Sequence, residues 1–175
     1  EKNYKPAAEV NRVDEVLIEG QNPLTGASSV YLPALNFIPP QVVAPARQPN
    51  LLYRLSFQAR AIDKNILSKN SWNLWSAHGA SHLCLWPKVT VSGQDAAGQS
   101  IEPWVSPLAS LPLSLSRDYQ TFSVCDFLPS RFRAARAIKV EANFYPFHED
   151  QAYLQKKKAT GGRAQLKESK LELWN

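Results

Sequence analysis

Leu51-Leu-Tyr-Arg-Leu-Ser-Phe-Gln-Ala-Arg-Ala61 alternates apolar and polar side chains almost without a break. Leu51, Tyr53, Leu55, Phe57, Ala59 and Ala61 fall on one face, and Arg54, Ser56, Gln58 and Arg60 on the other. A period of two held over this length specifies an antiparallel strand with one buried face and one wet face. Residues 137–147 repeat the pattern, with Ile138, Val140, Ala142 and Phe144 opposed to Lys139, Glu141, Asn143 and Tyr145. Residues 117–126 carry it more briefly, Phe122 and Val124 pointing in, Tyr119, Thr121 and Ser123 out.

Outward from these strands the signals are weaker. Residues 1–12 read as an irregular lead-in, and residues 13–19 as a short strand stopped by Gly20-Gln-Asn-Pro23. Residues 27–37 are extended but broken at Pro33 and closed by Pro39-Pro40, which confines them to an edge or a bulge. Residues 41–44 make a short strand before a turn at 45–50. Residues 63–81, with Trp72, Trp75 and His78, have no period and read as a long loop, a feature that tends to carry function. Residues 82–86 and 88–93 are strands interrupted at Pro87; Gln94-Asp-Ala-Ala-Gly98 is a hairpin turn and residues 99–101 begin the return. Residues 102–113 read as a Pro-rich connection bearing Trp104, and residues 128–135 as a basic loop or single helical turn. Residues 149–168, polar and containing Lys156-Lys-Lys158 and Gly161-Gly162, are the expected mobile loop before a closing strand at 170–174. About eight to ten short strands with almost no helical pattern predict an all-β fold: a two-sheet antiparallel β-sandwich of jelly-roll type, one domain over residues 1–175.

Composition agrees. Thirteen prolines against seven glycines oppose long helices, because proline cannot sit in a helix interior. The chain has no methionine, which reads as a processed or excised piece. No apolar run approaches the roughly 18 residues of a membrane span. The net charge of +5 is spread as a solvated surface. Its denser groups are Arg131, Arg133 and Arg136, then Lys156 to Lys158, Arg163, Lys167 and Lys170. Cys84 and Cys125 cannot form a metal site alone; pairing across neighbouring strands and two free thiols are both open.

Several segments resemble the β-jelly-roll, galactose-binding-like carbohydrate-binding modules. The likeness runs in order through residues 27–37, Gln41-Val-Val, Tyr53-Arg-Leu-Ser-Phe-Gln-Ala-Arg60, Val89-Thr-Val-Ser-Gly-Gln-Asp-Ala-Ala-Gly98, Tyr119-Gln-Thr-Phe-Ser-Val and Lys170-Leu-Glu-Leu. It implies a non-catalytic module that recognises a polysaccharide or glycan, secreted or held in the periplasm or cell envelope. Such modules often hold a structural calcium near the last strand; only Glu168 corresponds to an acidic residue there, so no cofactor is expected.

Sugar binding needs flat aromatic faces against pyranose C–H surfaces and planar polar groups for the hydroxyls. Trp72, Trp75, Trp86 and Trp104 are the candidate platforms, and Arg54, Gln58 and Arg60 the candidate donors. Other chemistry finds less support. His78 and His82 are four apart, but Gly79 between them opposes a helix, and no metal is expected. No Gly-x-Ser-x-Gly elbow occurs. Glycoside hydrolysis needs two opposed carboxylates, whereas Glu141 and Glu172 alternate with Lys139 and Lys170 as in cross-strand ion pairs. An enzyme is therefore not expected. Nor is a nucleic-acid partner: Tyr145 beside Lys139 is the nearest approach to an RNA-binding sheet. The competing expectation is a structural sandwich subunit making protein–protein contacts in a larger extracellular or envelope assembly.

Overall fold

The computed structural model describes residues 4–19, 30–39, 50–62, 83–109, 113–116, 118–148 and 163–175. Their strands are β1 (Ala8–Arg12), β2 (Val16–Glu19), β3 (Val30–Tyr31), β4 (Leu35–Phe37), β5 (Leu52–Ala61), β6 (Leu83–Gln94), β7 (Ser100–Val105), β8 (Leu113–Ser114), β9 (Gln120–Phe127), β10 (Ala137–His148) and β11 (Arg163–Trp174). They form two antiparallel sheets. In the first, β11 lies between β5 and the collinear pair β1 and β2, and β5 is flanked by β9. In the second, β10 carries β3 and β4 on one side and β6 on the other, and β6 in turn carries β7 and β8. Among the described residues every strand pairing is antiparallel, giving the antiparallel sandwich that the alternation predicts.

The alternation of β5 sets the core. Tyr53, Leu55, Phe57, Ala59 and Ala61 are buried, as are Val140, Ala142 and Phe144 of β10 in the facing sheet. Phe57 stacks on Phe122 with centroids 5.4 Å apart and meets Phe144 edge-on at 4.9 Å, joining the two sheets. Burying each such side chain is worth roughly 1.5–3 kcal/mol. Phe132, from a single 3-10 turn at Ser130–Phe132, plugs the rim between β9 and β10.

Prolines fall where the ladder tolerates them. Pro87 does not interrupt β6: it occupies the gap between the stretch paired with β8 (Cys84, Leu85) and the stretch paired with β7 (from Thr90). Pro103 sits in a bulge of β7, where residues 102 and 103 oppose Ser92 alone. Arg131 caps the carbonyls of that bulge, its guanidinium donating to Glu102 O at 3.0 Å and Pro103 O at 3.2 Å. The β6–β7 hairpin is built as expected. Asp95 Oδ1 accepts from the amides of Ala97 and Gln99 at 2.9 Å each, and Gly98 takes φ +80°.

Four expectations are corrected. Residues 8–12 are not lead-in but β1, whose Ala8, Val10 and Arg12 turn toward the core; the pattern is too short and too rich in small and polar residues to register. Residues 102–105 continue β7 rather than opening a connection. Of the expected mobile loop, residues 163–168 belong to β11, and residues 149–162 lie outside the described part. Finally, Cys125 is free and exposed on β9 of the first sheet, while Cys84 is on β6 of the second, so the two are not on neighbouring strands. The expected strand at 41–44, the loop at 63–81 and His82 also lie outside the described residues.

β11 contains the main irregularity. Its register with β5 slips between Lys167 and Lys170, so Glu168 and Ser169 together face Phe57. Glu168 adopts φ +50°, a left-handed conformation unusual for a residue with a side chain. The extra residue points out, which sends Ser169 inward and restores Leu171 and Leu173 to the core. Ser169 Oγ is buried without a hydrogen-bond partner.

Candidate functional site

The outer face of the first sheet is assembled from alternate residues of β1, β11, β5 and β9. Along β5 it presents Leu52, Arg54, Ser56, Gln58 and Arg60, so the three candidate donors do share one face. Their surroundings differ sharply. At one end Arg60 Nε donates to Gln165 Oε1 at 2.7 Å, and its guanidinium lies 4.7 Å from the Tyr119 ring centroid. Lys167 Nζ sits 4.1 Å from the same ring. Glu15 closes this knot, accepting from Tyr119 at 2.5 Å and from Gln165 at 2.9 Å. Loss of solvation and the Glu15 carboxylate push the Tyr119 phenol up to about 12. Gln58 is engaged too, donating to Glu168 Oε2 at 2.8 Å. The carboxylate that the family resemblance would give to calcium thus serves the bulge.

Arg54 is different. It is exposed, and its Nε donates to Ser123 Oγ at 3.3 Å. Cys125 stands beside it on β9 and Glu172 on β11. Glu172, only 6% exposed, is held by Lys170 Nζ at 3.4 Å; the same ammonium reaches Glu9 of β1 at 3.3 Å. The expected ion pairs therefore form both along a strand and across strands. Lys139 and Glu141, at 2.9 Å, pair along β10.

One rung beyond Arg54, the register places Trp174, Leu52 and Phe127 side by side across β11, β5 and β9. Trp174 and Leu52 are half-buried, and Phe127 is 61% exposed. Neither aromatic was expected at the site. The signal for Trp174 lay in the closing strand, where Leu171 and Leu173 point in and therefore Glu172 and Trp174 point out.

Of the predicted platforms, Trp72 and Trp75 lie outside the described residues. Trp86 lies on β6 opposite Tyr145, in backbone terms the second sheet, and its side chain is outside the described part. Trp104 is turned inward: opposite the buried Val91, it packs edge-on against Tyr53 with centroids 6.3 Å apart. It seals a polar seam. The Tyr53 hydroxyl is hydrogen-bonded to Ser106 Oγ, which donates to Asp126 Oδ2 at 3.3 Å, and burial pushes the phenol up to about 12. Among the described residues no three His, Cys, Asp or Glu side chains cluster as a metal site would need, and no helix is long and apolar enough to cross a membrane.

No protein-family model and no curated protein matches the chain. Its likeness is to solved structures. A chain of the infectious bursal disease virus particle is 11% identical over 98% of this chain and 32% of its own length, with a TM-score of 0.52. The VP2 subviral particle of that virus gives 11% identity, coverage of 97% and 32%, and a TM-score of 0.50. This chain therefore spans about a third of the length of those it matches. A family 16 carbohydrate-binding module is 13% identical over 89% of this chain and 73% of its own, at a TM-score of 0.37. The viral-particle likeness supports the β-sandwich fold; identities this low speak to fold alone.

Proposed function

We propose that this chain is a non-catalytic carbohydrate-binding β-sandwich of an exported protein, and that a polysaccharide or glycan lies on the outer face of its first sheet. The row Trp174, Leu52, Phe127 beside Arg54 carries this reading. An aromatic pair flanking an aliphatic residue offers a flat apolar strip for pyranose C–H faces, and a solvent-facing guanidinium next to it supplies directed donors for hydroxyls. Gln58 and Arg60, tied into the sheet, shape the surface rather than meet the sugar. Stacking on one or two rings yields a few kcal/mol, which places dissociation constants in roughly the micromolar to millimolar range. Titration calorimetry across a glycan panel tests it. Phe127→Ala and Arg54→Ala should each weaken binding about tenfold or more with the fold intact. If both variants bind as the parent does, the site is elsewhere; if no glycan binds at millimolar concentration, the reading fails.

A second reading has its own support. Solved chains similar to this one over nearly its whole length include those of a virus particle, and the same row, open at Phe127, is apolar surface of the kind used between subunits. A chain serving as an assembly subunit would form a defined oligomer in sedimentation experiments. Phe127→Asp would dissociate it. A monomer at high concentration that binds glycan rejects this alternative.

A further inference from the structure

A concavity lies at the margin of the other sheet, where the end of β4, the start of β10, the end of β6 and the start of β7 converge. It is an open recess of about 470 Å³, lined by Asn36, Phe37, Ile38, Ser92, Gly93, Gln94, Ser100, Ala137, Ile138 and Lys139. That volume is within the roughly 300–1,000 Å³ typical of small-molecule sites. We infer that it is a separate binding site for a neutral sugar residue. Its existence rests on these residues alone, while the choice of a sugar rests on the carbohydrate-binding reading above.

Three observations define the ligand chemistry. First, the site has an apolar part and a polar rim. Ile38, 78% exposed, and Ala137 at the start of β10 supply its apolar side chains, while Phe37 and Ile138, paired in the β4–β10 register, turn the other way, toward the core. Gly93, opposite Ile138, shares that inward face: a Cβ there would meet Ile101 and Phe132 at 3.6 Å each. Second, Asn36, Lys139 and Ser92 form a row across β4, β10 and β6, with Gln94 and Ser100 paired at the hairpin end. Carboxamides and hydroxyls both donate and accept, as vicinal sugar hydroxyls do; a carboxylate or phosphate would need donors and free cationic charge instead. Third, the one charged residue in the lining is compensated, because Lys139 Nζ is 2.9 Å from Glu141 Oε1. Neutral, amphipathic and hydroxyl-rich describes a pyranose rather than an anion.

Two-dimensional amide NMR tests this on the whole chain. Glucose, galactose, mannose and xylose are titrated in turn, with glucuronate as the charged comparison, to millimolar levels and above. At least one neutral sugar should shift the side-chain amides of Asn36 and Gln94 and the backbone amides of Ser92 and Ser100, saturably. The Asn36→Ala, Gln94→Ala double variant should weaken these shifts about tenfold. Both residues are exposed, so the rest of its spectrum should match the parent. The shifts should persist in Phe127→Ala, which lies on the other sheet. If sugars shift only residues around Phe127 and Trp174, the recess proposal falls and the carbohydrate reading stands. If glucuronate alone shifts the recess, the neutral-ligand proposal is overturned. If no saccharide shifts any residue, both fall together.

Discussion

Adding a single methyl group at Gly93 probes a close approach of two strands. β6 and β10 share the longest ladder, from the Ala137–Gln94 pair to the His148–Leu83 pair, and Gly93 lies opposite Ile138 near one end. A Cβ on Gly93 would sit 2.7 Å from the carbonyl oxygen of Ala137, against about 3.3–3.6 Å for an ordinary C···O contact between strands. Backbone cannot swing aside as a side chain would, so the strands must part by over half an ångström or the pleat must distort. Overpacking of this kind costs about 1–3 kcal/mol. Replacing glycine stiffens the unfolded chain and returns about 0.4–1 kcal/mol. Gly93→Ala should therefore destabilise by about 1–2 kcal/mol. With a urea m-value of about 2 kcal/mol/M, that lowers the unfolding midpoint by roughly 0.5–1 M. Gly98 is the contrast. Its φ of +80° opposes a side chain, yet the nearest obstacle is the mobile Arg136 Nη1 at 3.7 Å. Asn, which tolerates that conformation, should be accepted at Gly98 and should cost more than Ala at Gly93. A Gly93→Ala midpoint unchanged from the parent, or equal tolerance of Asn at both glycines, would refute the close approach.

Phe57→Ala should cost about 3–5 kcal/mol in the same assay, since a fully buried ring with two aromatic contacts leaves a cavity between the sheets. A loss under about 1 kcal/mol would show the faces of β5 reversed. At Glu168, Gly should be near neutral, because relief of the left-handed backbone offsets loss of the Gln58 hydrogen bond; Val should cost about 2 kcal/mol or more. Equal melting temperatures for the two variants would rule out strain at the bulge. Alkali should destabilise the fold in a defined window. The Tyr53 phenol is raised from 10.0 to about 12, so its contribution is fully present below pH 10 and lost as pH climbs toward 12, where the unfolded chain holds fewer protons. Tyr53→Phe should flatten that fall, with Tyr119 and Lys170, both also raised, contributing to the remainder; identical profiles for parent and variant would contradict it.

Much of the fold was legible because burial on one face forces a period of two. β5, β9 and β10 each show it in sequence; the buried residues of β5 and β10 are those the alternation names, and Phe122 and Val124 of β9 turn inward, partly buried against the core. β11 hid half its length. Ala164 and Leu166 are inward in one phase and Ser169, Leu171 and Leu173 in the other, with Glu168 absorbing the change, so no uninterrupted alternation spans the bulge. β1 was hidden by its weak apolar content. At the site, Arg54, Gln58 and Arg60 were correctly placed on one face, but their availability was not legible. Which of the three stays open depends on Gln165, Glu168, Tyr119 and Glu15, brought together from distant parts of the chain. The Trp174, Leu52, Phe127 row was equally hidden, since it exists only through the register of three strands.

The pairing of β1 with β11 also has a mechanical consequence. Ala8 faces Leu173, and the Ala7 amide donates to Leu173 O at 2.8 Å, so the first and last strands reach the same rim of the sandwich side by side. Antiparallel hydrogen bonds lie perpendicular to their strands. A pull applied between Ala8 and Trp174 consequently loads one rung at a time, as in a zipper, instead of shearing the whole ladder together. Under tension β1 should peel away first, at low force. The Phe57, Phe122 and Phe144 interlock, several strands further in, would then bear load only after that early release.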